Sequence, residues 1–131
     1  MAGTPVLRKV ARPVTSAMYN KKELLELVDL MVQTMRAAPG VGLAAPQIGI
    51  PLRVIVMEDK AEYVARSSPE RVAALQRTPF PAFAVCNPSL RAVGSDGARF
   101  FKGCLSIPGY QAMVDRYLNV ECSGFAPDGA P

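Results

Sequence analysis

The 131-residue chain contains no histidine, so it lacks both the commonest protein ligand for transition metals and the commonest general base. Its three cysteines, Cys86, Cys104 and Cys122, are odd in number and show no CxxC spacing, which argues against a disulfide framework and suits a reducing compartment. Long apolar runs are missing. Stretches such as Val54-Ile55-Val56-Met57 fall far below the ~20 residues that cross a bilayer. Charge of either sign is modest: 15 Lys and Arg against 11 Asp and Glu leave +4, too small a surplus to argue for a nucleic-acid partner. What is present is a globular composition. Half the residues are apolar and 20% are charged, which excludes a disordered polyelectrolyte, and the 22 glycines and prolines exclude collagen. The length is that of one compact domain with a single core.

The first 22 residues carry five positive charges and no acid, as organelle transit peptides do, yet Pro5 and Pro13 interrupt any amphipathic helix there. Asn20 followed by Glu23 reads as a capping box, and Leu24, Leu27, Val28, Met31 and Met35 recur at the spacing of one helical face. A helix from about Asn20 to Ala38 is predicted, ended by Pro39-Gly40. Pro46, Gly49 and Pro51 keep the next stretch as ordered loop or extended chain. Arg53 to Met57 is a β-branched run bounded by Glu58-Asp59-Lys60 and predicts a buried strand. Ala61 to Gln76 predicts a surface helical excursion. Phe83 to Cys86 and Ala98 to Phe101 predict further strands, separated by Asn87-Pro88 and a Gly94 to Gly97 turn region. Leu118, Val120 and Cys122 alternate with polar residues as in a half-buried strand, and Pro127-Asp128-Gly129 is a hairpin-turn signal with no returning arm behind it. That missing arm leaves an exposed sheet edge, and the expectation drawn from it is a C-terminal truncation.

Gly40-Val41-Gly42-Leu43-Ala44-Ala45 has the letters of the dinucleotide fingerprint GxGxxA. The fingerprint works by aiming a helix N-terminus at a pyrophosphate behind a strand. Here a helix precedes and a proline-punctuated stretch follows, so the context rejects it. A tight turn packed by small alanines is the plainer reading of that segment alone.

Read further, the segment is Gly40-Val41-Gly42-Leu43-Ala44-Ala45-Pro46-Gln47-Ile48-Gly49, and Gly103-Cys104-Leu105-Ser106-Ile107-Pro108-Gly109-Tyr110 stands beyond it. Together the two strings resemble the peptide deformylases, the first matching the family's GxGxAAxQ motif in full and the second its EGCLS motif at four of five positions. The resemblance runs from Pro5 through Asp128 and includes the Phe83 to Leu90 strand and a Val114-Asp115-Arg116-Tyr117 turn; the Ala61 to Thr78 excursion is similar to that of eukaryotic and organelle-type members.

The resemblance implies an enzyme that removes the formyl group from the N-terminal formylmethionine of new polypeptides with one divalent metal, Fe2+ or Zn2+. Such chemistry needs a water made nucleophilic at neutral pH and donors for a tetrahedral oxyanion. By motif, Cys104 is the implied thiolate ligand, Gln47 the side-chain donor to the formyl oxygen and the Leu105 amide a second donor. Gly40, Val41, Gly42, Gly103 and Tyr110 are the implied substrate-binding residues. For Cys104 alone a buried structural thiol is the simpler reading, and its flanking Gly103, Leu105 and Ser106 turn the choice toward a ligand.

Two departures stand against the resemblance. The family's HExxH helix, with two metal-binding histidines and a catalytic glutamate, has no counterpart here, and one thiolate falls short of the three protein ligands a catalytic site takes. Lys102 stands where the motif has Glu, and Gln111 where many members carry Arg; if those two pair with each other, replacing both removes a charge pair without stranding an acid, and the change reads equally as a harmless rim substitution or as altered substrate binding. Met18, Met31, Met35 and Met113 read as core fillers.

The expectations are therefore an α+β, partial peptide deformylase fold in one domain over residues 1–131, with antiparallel strands around a helix and the two motifs lining a cleft. Formylated nascent peptides are the expected partners, with neither DNA nor a membrane. The chain by itself is expected to be inactive and not to hold the metal stably. A noncatalytic remnant that binds peptides, or that touches ribosomal RNA through its basic N-terminus, is the alternative. An organelle matrix such as the mitochondrial one, or the cytoplasm, is the expected compartment.

Overall fold

A computed structural model describes residues 4–38, 40–70, 73, 78–95, 97–104, 107–117 and 120–131, with side chains described outside 98–104 and 107–117. After a 3-10 turn at Pro5–Leu7 the chain forms helix α1 (Lys22–Ala37), strand β1 (Gly42–Ala44), a 3-10 turn at Ala45–Ile48, strand β2 (Val54–Asp59) and helix α2 (Ala61–Arg66). Strands β3 (Phe80–Ala92), β4 (Gly97–Cys104), β5 (Ile107–Tyr117) and β6 (Val120–Phe125) follow. The architecture is α+β, as the sequence implied. One antiparallel sheet has the order β1-β2-β3-β6, and β4 and β5 form a second, two-stranded sheet.

The 3-and-4 spacing of apolar residues lays one face of α1 on the sheet. Leu24, Met31 and Met35 from the helix meet Leu43 of β1, Val54 and Val56 of β2 and Cys86 of β3, with Val14 and Ala45 closing the ends of this core. Leu27, Val28 and Met18 are half-buried against it. Met31 and Met35 are fully buried, as expected of core fillers, while Met113 lies outside the described side chains. At ~25 cal/mol per Å² of apolar surface removed from water, this contact is what fixes the helix to the strands.

Several local expectations are corrected. Asn20 does not cap α1: Lys21 holds the N-cap position, Asn20 lies in the left-handed region at φ 57°, and its N–H donates to Pro127 O at 2.7 Å. Asparagine tolerates that region better than most residues, so the chain uses it for a reversal rather than a cap. The stretch after α1 is neither plain loop nor plain extended chain, because Pro46 sits in the first turn of a 3-10 helix, where its missing N–H costs nothing. Asn87-Pro88 does not separate strands. It is an irregularity inside β3, with Asn87 at φ 53°, at the changeover where β3 stops pairing with β2 and continues with β6.

Asn87 also fastens the N-terminal segment. Its Oδ1 accepts from Val14 N–H at 2.7 Å, and its Nδ2 donates to Val14 O at 2.9 Å and to the Tyr19 hydroxyl at 3.1 Å. The expected turn at 114–117 is instead part of β5. β6 is a strand at the sheet edge as expected, yet it is not half-buried: Val120, Glu121, Cys122 and Ser123 are all exposed, and Leu118 lies outside the described residues. The Pro127-Asp128-Gly129 turn forms, closed by Gly129 N–H to Ala126 O at 2.8 Å, and docks beside Tyr19, whose ring lies 5.8 Å from that of Phe125. The helical excursion is described as α2; Val72, Leu75 and Gln76 lie outside the described residues.

Candidate active site

The first sequence string folds as an edge. Val41 O accepts the Glu58 N–H at 3.0 Å, and register then pairs Gly42 with Met57, Leu43 with Val56 and Ala44 with Ile55. Hydrogen-bonded and non-bonded pairs alternate in an antiparallel ladder, so Gly42 and Ala44, one and three places beyond Val41, turn their backbone groups away from β2. Ala44 obeys this, because its N–H donates to the Gln47 Oε1 at 2.9 Å. This is the reciprocal half of a capping box, in which the third residue of a helical turn reaches back to the residue preceding the turn. It fixes the Gln47 side chain and assigns its oxygen as acceptor, leaving the amide nitrogen as the donor end. Gly49 completes the turn at φ 85°, a conformation that favours glycine.

Among the described residues Gly42 has no such internal reason to be glycine. A Cβ built there would meet, among those residues, only Val56 O, at an ordinary 3.8 Å. Gly40 is tied back to α1, its N–H donating to Met35 O at 2.6 Å, and the Val41 side chain is exposed.

Behind this edge lies a group that sequence reading missed. Arg36, in the last turn of α1, forms a two-pronged bond to Glu58, Nε to Oε1 at 3.0 Å and Nη2 to Oε2 at 2.6 Å. The Glu58 side chain is only 6% exposed and that of Arg36 46%. The Arg36 fork holds the Glu58 carboxyl below the usual glutamate range, against the opposing effect of burial. The signal was present in the sequence: period-2 alternation carries Val54 and Val56 on to Glu58, so ending the strand at Met57 hid an acid on the helix-facing side.

The second string lies in the other sheet. Gly103 and Cys104 end β4, and Cys104 pairs with Ile107 across an irregular register. Tyr110 lies in β5. Leu105 falls outside the described residues, as do the side chains of Cys104 and Tyr110. Lys102 pairs with Ala112 and Gln111 with Gly103, so these two are not register partners. The structure thus brings Gly40, Val41, Gly42 and Gln47 together on one edge and sets Gly103, Cys104 and Tyr110 in a separate hairpin.

Metal donors are scarce. Among the described residues no three of His, Cys, Asp and Glu are grouped to hold an ion. Cys86 is buried in the core, which pushes its thiol pKa up, and Cys122 is exposed on β6. With no histidine in the chain, the donors among the described residues do not make a complete catalytic metal site.

Comparison with known proteins decides the family. A sequence model of the polypeptide deformylases matches residues 1–131. The chain belongs to the peptide deformylase family. It is 43% identical over 128 residues to peptide deformylase 1A, chloroplastic/mitochondrial, of Arabidopsis thaliana, covering 98% of this chain and 48% of that protein. It is 44% identical over 128 residues to the mitochondrial peptide deformylase of Homo sapiens, covering 97% of this chain and 52% of that protein. The chain therefore spans about half the length of these relatives. In fold it matches the Met-Ala-Ser-bound class I type b peptide deformylase of Acinetobacter baumannii with a TM-score of 0.82 and 30% identity, over 97% of this chain and 74% of that one. No described helix is long and apolar enough to cross a membrane.

Proposed function

We propose that the protein is a peptide deformylase that hydrolyses the N-formyl group of formylmethionyl peptides, and that β1 is its peptide-binding edge. The observation that carries the reading is Gly42. It sits on an edge strand with its backbone groups turned outward, and packing among the described residues does not require a glycine there. A glycine kept free of internal need leaves clearance for another backbone, and an extended peptide added to a sheet edge is held by main-chain hydrogen bonds. That a related deformylase binds Met-Ala-Ser supports the class of ligand.

On this reading Gly40 and Val41 shape the approach to the edge. The Gln47 side-chain nitrogen donates to the formyl oxygen, held in place by the Ala44 bond to its own oxygen. The Leu105 amide is the second donor, Cys104 the thiolate ligand, and Gly103 and Tyr110 contact the peptide. The divalent iron or zinc that the family resemblance implies would need donors besides Cys104. The 131-residue chain incubated with Fe(II), Co(II) or Zn(II) and a formyl-Met peptide is accordingly expected to release no formate. An organelle compartment fits the names of the Arabidopsis and human relatives.

Calorimetric titration with formyl-Met-Ala-Ser tests the reading. Saturable binding is expected, weakened about tenfold by Gly42→Ala through lost approach to the edge. Absence of binding, or equal affinity in the variant, counts against it. In any preparation that releases formate, Gln47→Leu is expected to slow release about 10²- to 10³-fold.

A further inference from the structure

We propose that Arg36 and Glu58 are positioning residues that set the conformation of the Gly40 to Ala44 edge from behind. The proposal rests on the reading of β1 as the peptide edge and adds the device that holds it. Three contacts converge on one short stretch. The Arg36 guanidinium grips the buried Glu58 carboxylate with two bonds, at 3.0 and 2.6 Å. The backbone N–H of the same Glu58 donates to Val41 O at 3.0 Å. Met35, the residue before Arg36, accepts from Gly40 N–H at 2.6 Å.

The chain between the end of α1 and the start of β1 is thus fastened at Gly40 to the helix and at Val41 to β2, and the Arg36–Glu58 fork joins helix to strand across the same gap. Because the fork is planar and two-pronged, it fixes orientation as well as distance, which a lysine would not. The geometry also separates this pair from the surface ion pairs of the molecule. The side chains of Lys22–Glu26 and Arg66–Glu62 are more than half exposed at both partners and bridge neighbouring turns of one helix. Arg36–Glu58 links two elements, as the exposed Arg91–Glu121 pair does between β3 and β6, but its acid is buried.

Backbone amide exchange combined with the peptide titration tests the role. Arg36→Met is expected to speed exchange of the Gly40 and Glu58 amides about tenfold while the Met31 amide, within the same helix, keeps its rate. Arg36→Lys should fall between, and the charge swap R36E/E58R should restore slow exchange. Equal acceleration at Met31 would mean a general loss of stability and would overturn the proposal, as would unchanged exchange at Gly40 and Glu58. Failure of the parent chain to bind formyl-Met-Ala-Ser would instead contradict the reading of the edge as a peptide site, and the exchange rates decide the role of the pair independently of it.

Discussion

The four-stranded sheet has two edges built on opposite plans. β1 is three residues long, carries a glycine that the packing of the described residues does not need, and is backed by an ion pair whose acid is buried and by a 3-10 turn that fixes a polar side chain. β6 is six residues long, exposes Val120 and Phe125, and contains a glycine its fold cannot lose. A Cβ at Gly124 would lie 2.5 Å from Val85 Cγ1 and 2.8 Å from Cys86 O. One glycine has open space beside it among the described residues, which the proposed peptide would use; the other makes room inward for the neighbouring strand. An unpaired edge is therefore not in itself a binding site, and what distinguishes the two is which side of the strand needs the missing side chain.

Exchanging the glycines for alanine breaks the comparison most sharply. Gly124→Ala is expected to cost about 3 kcal/mol, because the new methyl meets a backbone oxygen that cannot swing away. Gly42→Ala should change stability by less than about 0.5 kcal/mol. Denaturant melts of the two variants measure the difference, and equal losses would remove the distinction.

Asn87→Ala comes next in size. It removes three side-chain hydrogen bonds and places alanine at φ 53°, so a loss of about 2–3 kcal/mol is expected in the same melts.

A smaller effect depends on pH. Because the folded Glu58 carboxyl is held below its ordinary range, its contribution is complete above the unfolded glutamate value and is lost as pH falls through the lowered folded value. Thermal melts across the acid range should show this decline, flattened in Glu58→Gln; an identical acid limb in the variant would disprove the linkage. At the alkaline end the sign reverses for Cys86: burial raises its folded pKa, so stability declines once pH exceeds the ordinary thiol value. The smallest perturbation is chemical. An exposed thiol reagent should label Cys122 in the native protein and Cys86 only after unfolding, read site by site by mass spectrometry.

How much of this was legible beforehand differs element by element. The α1 face was readable because five apolar residues at helical spacing leave little alternative, and the GxGxAAxQ string announced its family before any geometry was known. The length of β3 was not readable: Asn87-Pro88 looks like punctuation, and only pairing with two different neighbours on either side of it lets one strand run through. The Arg36–Glu58 pair was hidden by habit, since a charged residue after an apolar run is read as a strand end, whereas here the strand continues and buries the charge against a partner far along the chain. The exposure of β6 was missed for the opposite reason. Alternation correctly marks a strand, but it cannot say whether anything covers the apolar side.

The central claim is that the outward backbone of β1 receives the peptide. Titrating the isotopically labelled chain with formyl-Met-Ala-Ser and following backbone amide shifts tests it most directly. The account predicts saturable shifts concentrated at Gly42, Ala44 and Gln47 with Val120 to Phe125 unmoved; shifts confined to β6, or none at Gly42, would contradict it.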